Sequence, residues 1–284
     1  MDFLDAIYIV LIATLTSLQA VMKKSYGRRG GSVFIFCTLS VFCACTFFLA
    51  RQGFSLNFSE QVIPYSIAFA ASYFVATVFS NLAIRSGSMS LTSLATSYSL
   101  LIPTFYGLTV DGNTVTPYFY VGLALLFVSL LFINFPEKGM RVSVKWAVFA
   151  LLALLGNGVC STVQVVSTVT FGGEYDDGFM VVSLTIVLVA FLAVSIFTER
   201  GQIVSSLRRG LPFMIVCGVA NGGVNMLVMI AAKTLDKSLM FPMISAGGII
   251  LTWLVACLIY REHLSKKQNF GVVLGILSVI LLNL

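Results

Sequence analysis

Ten stretches of mostly apolar residues follow one another along this chain, separated by short connections. A helix that crosses a bilayer needs about 20 such residues. The bilayer core also offers backbone N–H and C=O groups no partner outside a helix or a closed barrel. The pattern therefore predicts an all-α integral membrane protein with ten transmembrane helices. They are expected over 3–23, 31–50, 62–86, 89–110, 117–134, 144–169, 178–199, 211–235, 238–260 and 267–284. A composition of 58% hydrophobic and 10% charged residues, with mean hydropathy +1.00, fits no soluble globular class and leaves no room for a soluble domain.

The few charges are distributed with a bias. The connections after helices 1, 3, 5, 7 and 9 carry every Lys and Arg except Arg51, Lys233 and Lys237. The remaining connections hold those three together with Glu174, Asp176 and Asp177. Basic residues favour the cytoplasmic side, so both termini are expected outside the cytoplasm of a multi-pass cell-membrane protein. The same rule accounts for the net charge of +6 without a nucleic-acid partner. The first segment opens with Asp2 and Asp5 and lacks a small-residue cleavage site, so it reads as a retained helix and not a signal peptide. Cys37, Cys43, Cys45, Cys160, Cys217 and Cys257 all fall inside apolar segments, where free thiols act as packing residues.

Polar side chains interrupt some of these helices, and a buried unpaired amide costs about 1–3 kcal/mol. The stretch Trp146–Phe171 carries Asn157, Ser161, Thr162 and Gln164, so it should face protein or a wet cavity rather than lipid. Ser17-Leu18-Gln19 matches Thr162-Val163-Gln164 at an offset of 145 residues. Further along, an offset of 148 relates Pro64 to Pro212, Tyr73 to Asn221, Thr77 to Asn225, Ser97 to Ser245 and Thr104-Phe105 to Thr252-Trp253. Helices 5 and 10 match at 149, which pairs Gly122 with Gly271, Ser129 with Ser278 and Asn134 with Asn283. Five helices per half make the two halves cross the membrane in opposite senses. The expectation is two inverted five-helix repeats, 1–138 and 139–284. Pro64 and Pro212 should open helices 3 and 8, where a missing N–H is harmless.

The run Glu262-His263-Leu264-Ser265-Lys266-Lys267-Gln268-Asn269-Phe270-Gly271 leads into helix 10. Ser265 and Gln268 have capping-box spacing, and Gly271 with Gly275 forms a small-residue face for close helix approach. That run, E-x-L-S-x-x-Q-x-x-G before a final apolar helix, resembles the end of an EamA-type repeat in the ten-helix branch of the drug/metabolite transporter superfamily. The likeness extends over essentially the whole chain. The first half departs from the motif, having Asn113-Thr114-Val115-Thr116-Pro117 at the equivalent place. The resemblance implies a carrier of small organic molecules that works by alternating access around a cavity lined by helices 1, 3, 4, 6, 8 and 9.

The same six helices hold the mid-helix polar residues. The candidate pathway set is Thr16, Gln19, Tyr73, Thr77, Ser97, Tyr98, Asn157, Gln164, Asn221, Asn225, Ser245 and Trp253. Tyr73 with Thr77, and Asn221 with Asn225, lie four apart and so share a helix face. For Gln19 and Gln164 two readings stand side by side: substrate contact, or hydrogen bonds that hold helices together. Tyr73, Tyr98, Phe105 and Trp253 are candidates for an aromatic enclosure of an organic cation. Gly218 and Gly222 read as a close-packing face, and Pro103 and Pro242 as hinges or tolerated kinks.

Absences narrow the chemistry. No Asp or Glu falls in the middle of a predicted helix, which disfavours a proton-driven multidrug antiporter. The single histidine, His263, has no spaced acid or cysteine with which to build a metal site or triad, so no cofactor, no metal and no enzyme activity are expected. The reading is a carrier for a small neutral or zwitterionic metabolite such as an amino acid, working as exporter or exchanger. A non-transporting scaffold or receptor, an intramembrane enzyme and a drug exporter are the alternatives. Its partners would be the substrate and the lipid bilayer, with helices 5 and 10 as the surface for a homodimer.

Overall fold

The computed structural model describes residues 3–86, 92, 96–110, 116–133, 143–258 and 265–282. Among them there is no strand, and ten α-helices follow in order. These are α1 (Phe3–Gly27), α2 (Val33–Arg51), α3 (Ile63–Ser86), α4 (Leu101–Val110), α5 (Pro117–Ile133), α6 (Val144–Thr170), α7 (Asp176–Glu199), α8 (Ile203–Thr234), α9 (Lys237–Leu258) and α10 (Lys266–Leu282). Five helical stretches are long and apolar enough to cross a membrane: Leu4–Gly27, Val33–Arg51, Glu60–Ile84, Val144–Thr170 and Asp176–Thr234. The surface matches that character. On α7, Val189, Leu192 and Ile196 form an exposed apolar stripe while Leu184, Val187 and Phe191 are buried, and on α10 Val273, Ile276, Leu277 and Ile280 are exposed. Apolar side chains in i, i+3, i+7 register on the outside are what lipid tails would cover.

Two elements differ from the sequence expectation. Pro64 is the second residue of α3, as expected, but Pro212 sits inside α8, which begins nine residues earlier at Ile203. The added turns are Ile203–Gly210, whose arginines suit an aqueous end. There the Arg29 guanidinium donates to the Arg209 carbonyl at 3.1 Å. The expected fourth helix is broken. Residues 96–98 are helical, Ser99 and Leu100 form a turn, and α4 starts at Leu101. Pro103 cannot donate to the Ser99 carbonyl, and Ile102 N–H takes that acceptor instead at 3.1 Å.

The chain divides into two compact units, each drawing on non-contiguous segments. The first consists of residues 1–13, 75–162 and 234–284, and the second of 14–74 and 163–233. In the first, α5 and α10 pack through two reciprocal bonds: Ser129 Oγ donates to the Gly271 carbonyl at 2.6 Å, and Ser278 Oγ to the Gly122 carbonyl at 2.8 Å. These pairs run in opposite directions along the two helices, so α5 and α10 are antiparallel. The glycines allow the approach, since a Cβ at Gly122 would lie 3.1 Å from the Leu282 backbone nitrogen. The Gly271–Gly275 face is thus buried in the same chain. α10 begins directly after Ser265, the expected cap residue.

In the second unit α2 lies between α7 and α8. It pairs antiparallel with α7 from end to end. Ser32 Oγ donates to the Glu199 carboxylate, Thr38 and Ser195 hydroxyls meet at 2.9 Å, Cys45 and Thr185 at 3.6 Å, and Arg51 faces Asp177. Along α8 it runs parallel: Ser40 Oγ donates to the Met214 carbonyl, and farther on Gly218 and Gly222 face Cys43 and Phe47. A Cβ at Gly218 would collide with the Ser40 carbonyl, and one at Gly222 would lie 2.7 Å from the Phe47 ring. That is the close-packing face expected from the sequence. Phe48, Phe69, Phe179 and Phe191 fill the core, with the Phe69 and Phe179 rings edge to face at 5.5 Å.

Candidate substrate pathway

The second unit gathers four of the candidate residues into one hydrogen-bonded chain. Gln164, buried on the last turns of α6, donates its amide to the Asn225 carbonyl at 3.1 Å. Asn225 donates to the Asn221 carbonyl at 2.8 Å and to its side-chain oxygen at 3.2 Å. Asn221 donates to the Tyr73 phenol oxygen at 3.5 Å. The 3.6-residue period brings Asn221 and Asn225 onto one face of α8. Tyr73 is held by stacking on Phe69 at 5.9 Å, while Gly222, between the asparagines in sequence, lets α8 press against Phe47. Three amides and a phenol among apolar helices can present several donors and acceptors with no net charge.

The first unit places other candidates around the break before α4. Asn157 Nδ2 donates to Ser99 Oγ at 2.5 Å, and the neighbouring Gly158 admits Ile102 so closely that a Cβ there would overlap it. Ser97, Tyr98 and Ser245 line a narrow cavity of about 10 Å³ with Thr104, Leu126 and Pro242. That is room for about one water. Tyr98 stacks on Phe127 at 4.5 Å and donates its hydroxyl to the Phe127 carbonyl at 2.9 Å. Thr77 is half-buried, and its carbonyl accepts from Asn81 at 2.8 Å. On α1, Thr16 is exposed and Gln19 half-buried. The side chains of Trp253 and Gln268, and residues Glu262 to Leu264, lie outside the described residues. Of the proposed aromatic enclosure, Tyr73 and Tyr98 fall in different units and Phe105 is 55% exposed.

A charged recess in the second unit was not singled out from the sequence. It has a volume of about 300 Å³ and is lined by both of its charge signs: Arg51 and Lys233, with Glu174, Asp176 and Asp177. Lys233 Nζ is 3.0 Å from Asp176 Oδ2, whose other oxygen accepts from Thr168 Oγ1 at 2.8 Å. Arg51 Nη1 is 3.3 Å from Asp177 Oδ1, a buried atom held by charge without a well-aligned hydrogen bond. Beside the rim, the Tyr175 phenol pKa is raised, first by its hydrogen bond with Glu174 and then by that carboxylate's charge. The available signal was the charge distribution, for Arg51 and Lys233 are among the few basic residues off the alternating pattern.

No family model matches the sequence, and no curated protein does. Among solved structures, one crystal structure of a protein is similar over 99% of this chain and 96% of its own length, with a TM-score of 0.79 and 14% identity. At that identity the likeness shows the fold alone.

Proposed function

We propose that the chain is a ten-helix carrier of two inverted five-helix repeats, similar to EamA-type members of the drug/metabolite transporter superfamily. It moves a small neutral or zwitterionic organic metabolite across the cell membrane by alternating access. The observation that carries this reading is the chain Gln164–Asn225–Asn221–Tyr73. Uncharged donors and acceptors collected from α3, α6 and α8 suit a ligand that must be desolvated without a full countercharge. The reciprocal Ser129–Gly271 and Ser278–Gly122 bonds favour the repeat, because a surface related to its partner by a two-fold makes every contact twice. The orientation follows from charge. In the second unit one end gathers Arg28, Arg29, Arg200, Arg208 and Arg209, and the other mixes Glu174, Asp176 and Asp177 with only Arg51 and Lys233. The basic end belongs in the cytoplasm.

The test is a thermal-shift screen of purified protein against a metabolite library, followed by flux of the stabilising compounds into proteoliposomes with and without a pH gradient. Flux of at least one such compound is expected. Stabilisation with no flux would transfer the reading to a receptor or scaffold, and appearance of a chemical product to an enzyme.

A further inference from the structure

The charged recess offers three kinds of surface within a volume suited to one small molecule. The side chains of Arg51 and Lys233 are each 37% exposed, whereas their partners Asp177 and Asp176 are 21% and 13% exposed. The carboxylates are thus turned into the protein as anchors, and the cations keep donors to spare, a guanidinium having five N–H groups and an ammonium three. Opposite charge is present at the rim on Glu174. The remaining surface is apolar, made by Met226, Met229 and Ile230. With Lys233 these stand in i, i+3, i+4, i+7 register along one face of α8.

The walls are also fixed before any ligand arrives. Gln52 and Asn57 exchange two hydrogen bonds, at 3.2 and 3.3 Å, across a turn in which Gly53 and Phe54 take positive φ. Gly173, at φ +79°, leaves the space that Lys233 occupies, and any Cβ there would overlap the ammonium. Preorganised donors lose little on binding. Along α8 the recess runs from Met226, the residue after Asn225, to Lys233, about 12 Å from Asn225 at a rise of about 1.5 Å per residue.

We propose that this recess is a second binding site, for a small apolar amino acid: its carboxylate between Arg51 and Lys233, its ammonium at Glu174, its side chain on Met226, Met229 and Ile230. As the outer waiting site of the pathway it rests on the carrier reading; as a binding site it does not.

The experiment measures binding of radiolabelled L-leucine to the purified full chain, with 4-methylpentanoate and isoamylamine as competitors lacking the ammonium and the carboxylate. Leucine should bind, 4-methylpentanoate should compete more weakly, and isoamylamine should fail. The double variant Lys233→Gln/Asp176→Asn, which removes the pair without stranding a charge, should lower leucine affinity at least tenfold. Lys233→Arg with Asp176 intact should retain most of it. Glu174→Gln should weaken leucine but not 4-methylpentanoate. Absence of leucine binding, unchanged affinity in the double variant, or competition by isoamylamine equal to that of leucine would each overturn the site. Flux of some other metabolite by a protein that fails these tests would leave the carrier reading standing, while leucine binding without any flux would do the reverse.

Discussion

Asn221 donates to the phenol oxygen of Tyr73 at 3.5 Å, across a sequence separation of 148 residues. That is the spacing that relates Pro64 to Pro212 and Ser97 to Ser245. In a chain of two inverted halves, residues that touch their own counterparts sit where the internal two-fold passes. Under the proposed carrier reading a ligand held there would meet one side chain from each half, and neither can be altered without changing the other's partner. Tyr73→Phe keeps the stacking on Phe69 and removes the hydroxyl that accepts from Asn221. It should leave thermal stability within about 1 kcal/mol and lower flux several-fold in proteoliposomes, whereas unchanged flux would make the phenol a packing group.

Gln164→Leu deletes the donor to the Asn225 carbonyl while preserving bulk. Interhelical hydrogen bonds in membranes contribute about 0.6–2 kcal/mol, so a modest fall in unfolding temperature is expected. Substrate affinity in the flux assay should fall further than stability does. Equal affinity would leave Gln164 as a strut between α6 and α8.

Gly218→Ala tests the contact of α8 with α2. The added Cβ meets a main-chain carbonyl, which cannot swing aside, so the cost should be about 1–3 kcal/mol as for other overpacked sites. Unfolding in detergent reads this directly. Gly201→Ala, where nothing lies within 4 Å of the added atom, is the control.

Ser129→Ala and Ser278→Ala should each cost about 0.6–1 kcal/mol, and by similar amounts, because each removes one of two equivalent bonds. A large difference between them would show that the two contacts are unequal in spite of their geometry.

Cysteines introduced at Gly201 and Glu174, both exposed, should react with impermeant thiol reagents from opposite sides of the membrane. The two positions flank opposite ends of α7, Gly201 just after Glu199 and Glu174 just before Asp176. Labelling from the same side would overturn the assigned orientation.

Helix positions were legible in the sequence because apolar runs are long and water-facing breaks are short. The glycine face was legible for the same kind of reason: Gly218 and Gly222 stand one turn apart, and closeness is all that glycine offers there. What the sequence concealed were partners. Gln164 binds a main-chain carbonyl, which no side-chain pattern announces. Arg51 meets Asp177 across 126 positions, which takes a packed α2–α7 pair to arrange. The start of α8 was misplaced because Pro212 looks like a first-turn residue. Its segment in fact continues through Ile203–Gly210, too basic to be counted in an apolar run.

The reciprocal bonds of α5 and α10 have a consequence for assembly. Two faces that fit each other in this way do not require a covalent link between them. If the chain is cut between α5 and α6, the two five-helix pieces still carry complementary faces: Gly122 and Ser129 on one, Ser278 and Gly271 on the other. Co-expressed, they would re-form the same pair of bonds.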